Sequence, residues 1–367
     1  MEKTHSPLIL LNPGPVNLTP RVRNALLSPD ICHREAEFRE LQKNIRMGLL
    51  EVYGLSHTAY TSIVLTGSGT VSVEAMVTSL VPYSGKLLVL ANGVYGERIQ
   101  KIAQSHRIAH FVLRNEWGEE LNTAKIERIL QQDKDITTVA TVHHETTTGR
   151  LNDLSSVGLL CRQYGKALLV DAVSSFGAEE IKFDKWGITA CAASSNKCLH
   201  GVAGVSFVVV NLTYLLSLHI VPPRSVYLDL SEYYREQEKG TSPFTHAVQV
   251  FYALSEALAE LKEMGGWTAR KRDYESLALM IRQDAAKSGL SQYLTGGPLA
   301  CSLTSFYLPS GTSYDELHDS LRSSGFVIYA GQGKISKKIF RIANMGALNK
   351  EDIDRFNVTL KTILCKQ

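Results

Sequence analysis

The chain has no long hydrophobic run: nothing in its 367 residues approaches the roughly 20 apolar positions that a membrane-spanning helix needs. Its first apolar stretch, Leu8-Ile9-Leu10-Leu11, stops at Asn12-Pro13-Gly14-Pro15, too soon for a signal peptide. Cysteine is scarce. Cys32, Cys161, Cys191, Cys198, Cys301 and Cys365 form no CxxC, which argues against a disulfide framework and a zinc spacing and predicts a reducing, cytoplasmic compartment. An excess of one charge is also missing, with 39 Lys+Arg against 36 Asp+Glu and a formal net charge of +3. Basic clusters are as short as Arg270-Lys271-Arg272, so nucleic acid is not expected as a partner, and neither is a membrane. There are no internal repeats and no low-complexity segments.

What is present is ordinary globular material, 44% hydrophobic, in enough length for a large core and two domains. Between about residues 60 and 210, short β-branched runs alternate with amphipathic stretches. The spacing predicts strands at Ser62–Leu65, Leu87–Leu90, Ile136–Val142, Leu168–Val170, Ala190–Ala193 and Val205–Val210. Helices are expected at Val71–Val81, Arg98–Ser105, Ala124–Gln131 and Leu154–Tyr164, so the fold class is α/β, a mostly parallel sheet covered by helices. A helix over Thr245–Met264 should stop at Gly265-Gly266. The remaining patterns, among them Trp267–Lys287, Phe326–Tyr329 and Ile339–Ala343, read as a smaller α+β domain. The expected division is an N-terminal segment 1–15, a large domain 16–265 and a small C-terminal domain 266–367.

Polar residues follow these strands immediately, where an open α/β sheet presents its ligand crevice. Asp171 closes the apolar run Ala167-Leu168-Leu169-Val170, and Lys197 lies in the small-residue stretch Ala193-Ser194-Ser195-Asn196-Lys197-Cys198. A lysine among such neighbours should be partly desolvated, with a lowered pKa. Together the two residues suit pyridoxal 5'-phosphate, because the amine can form a Schiff base while the carboxylate keeps the pyridine nitrogen protonated. The loop Thr66-Gly67-Ser68-Gly69-Thr70 reads either as a phosphate cradle at a helix N-terminus or as a plain turn. It lacks the lysine of a nucleotide-binding P-loop. Tyr95 either packs in the core or stacks on a flat heteroaromatic ring.

His143-His144-Glu145 raises a metal-dependent hydrolase as a rival. Adjacent histidines on an extended strand point to opposite faces, however, so no metal is expected. Thr146 and Thr147 are candidate hydroxyl donors beside a cofactor, or helix caps. Arg341 interrupts the strand-like run Ile339-Phe340-Arg341-Ile342-Ala343, and either pairs with a buried acid or recognises an anionic substrate. A nucleotide-binding protein using the Gly67–Thr70 loop is a further rival, but it would leave Lys197 and Asp171 without a task.

These motifs, taken with His144-Glu145-Thr146-Thr147-Thr148-Gly149, Val170-Asp171-Ala172-Val173-Ser174-Ser175-Phe176-Gly177, Thr241-Ser242-Pro243 and Gly325-Phe326-Val327-Ile328-Tyr329, resemble the class V group of fold-type I pyridoxal phosphate aminotransferases. The resemblance runs nearly end to end and is greatest to the 2-aminoethylphosphonate:pyruvate branch. It implies that Lys197 carries the cofactor and shuttles protons, that Asp171 pairs with the pyridine nitrogen, and that Tyr95 stacks on the ring. It further implies that Ser68, Gly69 and Thr70 bind the phosphate, that Thr146 approaches the ring oxygen, and that Arg341 holds the substrate's anionic group. Relatives are homodimers with shared sites, and Thr245 lies where the partner chain reaches the phosphate. Arg34 is a second candidate for the substrate anion. Its segment Cys32-His33-Arg34-Glu35-Ala36-Glu37-Phe38 departs from the degradative phosphonate pattern toward that of alanine, serine and glyoxylate aminotransferases, and Ala343 and Met345 stand where Gly and Ile are expected. An alanine or serine:glyoxylate aminotransferase is therefore the alternative within the class.

Overall fold

The computed structural model describes residues 8–218 and 222–365; residues 1–7 of the expected N-terminal segment and 366–367 of the expected C-terminal domain lie outside them. Seven strands form the main sheet: β1 (Tyr60–Gly67), β2 (Lys86–Ala91), β3 (His110–Arg114), β4 (Ile136–Val142), β5 (Ala167–Asp171), β6 (Ala190–Ser194) and β7 (Gly204–Asn211). Their order is β1-β7-β6-β5-β4-β2-β3. Only β7 is reversed, pairing antiparallel with both β1 and β6. The other neighbours are parallel.

The apolar runs are continuous because both faces of the sheet are covered. Successive residues therefore serve opposite cores. Leu88, Leu90, Val139, Leu168 and Val170 pack in one, and Leu87, Val89, Ala140, Val142 and Leu169 in the other. The edge strand β3 was not anticipated: Phe111 is exposed, and the strand offers only half-buried side chains to either face.

A second sheet contains β8 (Leu303–Tyr307), β9 (Tyr329–Ala330) and β10 (Ile339–Ala343), with β10 central and antiparallel to both neighbours. The expected strand Phe326–Tyr329 divides in two. Phe326–Val327 pairs in parallel with Ile9–Leu10, fully buried Ile328 turns inward, and Tyr329 pairs with Arg341. The described N-terminal residues thus cross to the C-terminal body. The helix expected from Thr245 begins only at Val248. The residues before it are held otherwise: Ala247 N–H donates to Thr66 Oγ1 (3.2 Å), and His246 Nδ1 lies 3.0 Å from the same hydroxyl.

Candidate active site

At the carboxyl edge of the parallel strands, a cleft of about 550 Å³ is lined by Ser68, Gly69, Thr70, Tyr95, Asp171 and Lys197. Register explains the meeting. Asp171, the last residue of β5, is aligned with Val142 on one side and Ala192 on the other, and the turn bearing Lys197 follows β6. That turn is fastened by Ser195 N–H to the Val205 carbonyl (3.0 Å), Gly201 N–H to the Ser195 carbonyl (2.8 Å) and His200 N–H to the Lys197 carbonyl (3.0 Å).

Burial perturbs both key groups. It lowers the Lys197 amine from 10.5 to about 8, opposed by Cys198 and the Asp171 carboxylate. It raises Asp171 from 3.8 to about 6, opposed by the Val173 N–H and by the charges of Arg98 and Lys197. The Lys197 ammonium donates to the Pro13 carbonyl, and a Cβ on Gly14 would stand 2.7 Å from Lys197 Cδ. The Asn12-Pro13-Gly14-Pro15 segment therefore covers the lysine with backbone alone.

Ser68 is the N-cap of helix Gly69–Leu80, yet its side chain makes no capping bond. The first N–H groups of that helix are therefore not capped by the Ser68 side chain. Gly69 is needed for space, since a Cβ there would meet Val173 Cγ1 at 2.8 Å. Thr146 Oγ1 is buried without a partner among the described residues. So is Arg341 Nη2, although Arg341 Nε donates to the Ala330 carbonyl (2.8 Å), Nη1 donates to the Thr146 carbonyl (2.8 Å), and the guanidinium lies over the Tyr329 ring at 5.0 Å. Its Nη2 is thus the edge of the guanidinium left with donor capacity to spare.

Thr146 and Arg341 are buried and are not among the residues lining the cleft, and two further expected residues are exposed. Arg34 is exposed, with its Nε 3.4 Å from His33 Nε2, and Thr245 is exposed outside the cleft lining. Conversely, Arg98 lines the cleft, donates to Thr70 Oγ1 (3.2 Å) and lies 4.6 Å from the Tyr95 ring centroid. The sequence carried a signal for it, because Arg98 stands three residues after Tyr95 on one helical face.

Each histidine of the pair is held through its Nδ1, while His144 Nε2 is buried with no partner among the described residues. His143 Nδ1 lies 3.0 Å from Ser175 Oγ and His144 Nδ1 3.0 Å from the Ser174 carbonyl, while Glu145 Oε2 accepts N–H groups from Tyr95 and Gly96. Burial lowers both imidazoles to about 4. Among the described residues, no three His, Cys, Asp or Glu side chains converge on a metal position. Of its two expected readings, Thr147 follows the cap: its hydroxyl bonds Glu145 and the Val94 N–H, at the start of the earlier helix Val94–Ser105.

Known proteins share this architecture. The chain is 38% identical over 356 residues, 96% of each sequence, to proteins from Bacillus cereus and Bacillus anthracis named 2-aminoethylphosphonate--pyruvate transaminase. Among solved structures, an alanine--glyoxylate aminotransferase from Nostoc sp. superposes with a TM-score of 0.91 at 25% identity, covering 99% of this chain and 97% of that one. A Thermus thermophilus aspartate aminotransferase of subgroup IV gives 0.88 at 27% identity, covering 98% and 99%. The family model for aminotransferase class-V matches residues 23–356, and the chain belongs to that family.

Proposed function

We propose that the chain binds pyridoxal 5'-phosphate and transfers the amino group of 2-aminoethylphosphonate to pyruvate, giving phosphonoacetaldehyde and L-alanine, or runs the same exchange in reverse. The observation that carries this reading is the 38% identity over 96% of both chains to proteins of that name. The residues fit the cofactor: a partly buried amine and a buried carboxylate share the cleft, an uncapped helix start faces it, and Thr146 supplies an orphaned hydroxyl. When bound, the cofactor supplies an aldehyde that takes up the amino group and a ring that withdraws electrons.

Lys197 would hold the cofactor and, as a free amine, would take the proton from the substrate carbon. Asp171 keeps a proton on the pyridine nitrogen. Tyr95 stacks on the ring, Ser68, Gly69 and Thr70 take the phosphate, and Thr146 donates to the ring oxygen. Arg341 offers its free Nη2 to the substrate's anionic group.

The lowered Lys197 pKa has a kinetic consequence. Only the neutral amine attacks an aldehyde, so the rate at which apoprotein takes up pyridoxal phosphate rises with pH through about 8, not near the 10.5 of an exposed lysine. Stopped-flow absorbance across pH 6–11 checks this, and a midpoint near 10.5 would mean a solvated amine.

Arg341→Lys keeps the charge but loses the planar fork that binds the Ala330 and Thr146 carbonyls. Its kcat/KM for 2-aminoethylphosphonate should fall about ten- to hundredfold, the worth of a charged hydrogen bond. Unchanged kinetics would remove Arg341 from the substrate site. A panel of amino donors tests the substrate itself: preference for alanine or serine with glyoxylate, and indifference to 2-aminoethylphosphonate, overturns it.

The active form is a homodimer in which Thr245, exposed on its own protomer, reaches the partner's phosphate site, and Arg34 is a second anion ligand. A fully active monomer in sedimentation would remove the shared site. A cytoplasmic location fits six unpaired cysteines, four of them buried, and cell fractionation checks it. The division at Gly265-Gly266 belongs to the same proposal, with the described N-terminal residues joined to the C-terminal body through the Ile9–Leu10 pairing.

A further inference from the structure

The helix Val94–Ser105, which carries Tyr95 and Arg98, has no capping side chain of its own, because its N-cap is Gly93. Its first three N–H groups are nevertheless taken, all by residues beyond β4. Val94 N–H donates to Thr147 Oγ1 at 3.0 Å, and Tyr95 and Gly96 N–H donate to Glu145 Oε2 at 3.2 and 3.3 Å. The other carboxylate oxygen, Oε1, accepts the Thr147 N–H at 3.2 Å and the Thr147 hydroxyl at 2.6 Å. Glu145 thus meets donors on both oxygens, which pull toward the ionised form at a positive helix end, against the burial that raises its pKa from 4.5 to about 7.

A second observation supports a built joint. A Cβ on Gly93 would lie 2.3 Å from Glu145 Cδ. The Gly93 φ of 179° is extended backbone open to any residue, so the glycine is required for the room it leaves the carboxylate.

One end of this joint lines the cleft, and the other holds buried polar atoms that have no partner among the described residues. One end is Tyr95, whose backbone is bound directly. The other is Thr146, lying between Glu145 and Thr147 in sequence, with its orphaned hydroxyl and with its carbonyl accepting Arg341 Nη1. Glu145 and Thr147 are themselves fully buried and do not line the cleft. We infer that Glu145, with Thr147, is the positioning unit of the site, fixing Tyr95 against the face of the cofactor ring and Thr146 and Arg341 at its edge. The inference rests on the proposed pyridoxal phosphate site.

The test uses the whole chain reconstituted with pyridoxal 5'-phosphate, comparing Glu145→Gln, Thr147→Val and Thr147→Ser. All should develop the visible band, since Lys197 is intact. Glu145→Gln sets an amide donor against backbone donors, and Thr147→Val deletes the bridging hydroxyl. Both should weaken the induced circular dichroism of the bound cofactor and raise its Kd about ten- to hundredfold. Both should also lower kcat more than they change KM, whereas Thr147→Ser restores all of these. In a double-mutant cycle, Glu145→Gln should add little to the cofactor Kd of Tyr95→Ala, because it acts through that ring.

A wild-type circular dichroism signal and Kd in Glu145→Gln, a change confined to Tm, or full additivity with Tyr95→Ala overturns the inference. Should Glu145→Gln fail to fold, the Thr147→Val and Thr147→Ser pair decides by the same signals. Failure of the wild-type chain to take up pyridoxal phosphate is a different result, and it removes the cofactor site and this inference together.

Discussion

Lys197→Ala abolishes turnover, with a loss of at least about 10⁴-fold, because it deletes both the covalent attachment and the proton carrier. Among the described residues, Lys197 is the one lysine lining the cleft. Stability should move the other way. The Lys197 pKa falls from 10.5 to about 8 on folding, so the folded state binds its proton less tightly than the unfolded chain does. That disfavours folding at neutral pH, and the disadvantage fades as pH rises toward the unfolded value. Removing the amine therefore leaves the apoprotein Tm unchanged or higher at pH 7, even with the contact to the Pro13 carbonyl lost. Noncovalent affinity for pyridoxal phosphate should persist through the phosphate cradle. Steady-state assays and calorimetry on the same protein separate the two effects. Turnover near the wild-type rate would sink the assignment of Lys197.

The parts of this molecule that were legible in its sequence are those whose cause is local. Strands β2, β4 and β5 are buried on both faces and read directly as apolar runs, whereas β3, with Phe111 in solvent, does not. Lys197 and Asp171 were legible because each ends or interrupts a stretch of small or apolar residues. Glu145 was not. The Tyr95 N–H it accepts is 50 residues away, and nothing near it in sequence distinguishes a capping carboxylate from a metal ligand. The Pro13 carbonyl over Lys197, 184 residues distant, is equally a product of tertiary structure. Thr146, Arg341 and the phosphate loop were read from local sequence with alternatives left open, and family resemblance gave each its particular role. Their geometry, an orphaned hydroxyl, a guanidinium with one free amine and an uncapped helix start, is consistent with those roles. Arg34 and Thr245 are exposed and do not line the cleft of their own chain, so a single protomer gives no site geometry for them.

Asp171→Ala should lower kcat by roughly 10²–10⁴-fold, the range for removing a group that controls a proton at the reacting centre. It should also weaken cofactor binding, because the pyridine nitrogen loses its anionic partner. The carboxylate is 5% exposed, accepts the Val173 N–H at Oδ1 (3.0 Å), and is held near a pKa of 6 by burial against the pull of Arg98 and Lys197. Because folding raises that pKa, the apoprotein draws full stability from Asp171 only below the unfolded value of 3.8, and loses it as pH rises through about 6. Above pH 6 an unliganded Asp171 is a buried charge that costs stability, offset in part by its hydrogen bond to Val173. Alanine removes both, so the apoprotein Tm at pH 7.5 should change little while catalysis collapses. Asp171→Glu keeps the charge and should retain more activity than alanine. A merely structural cap predicts the reverse pattern, a lower Tm with kinetics and cofactor Kd intact, and that outcome would remove Asp171 from the cofactor site.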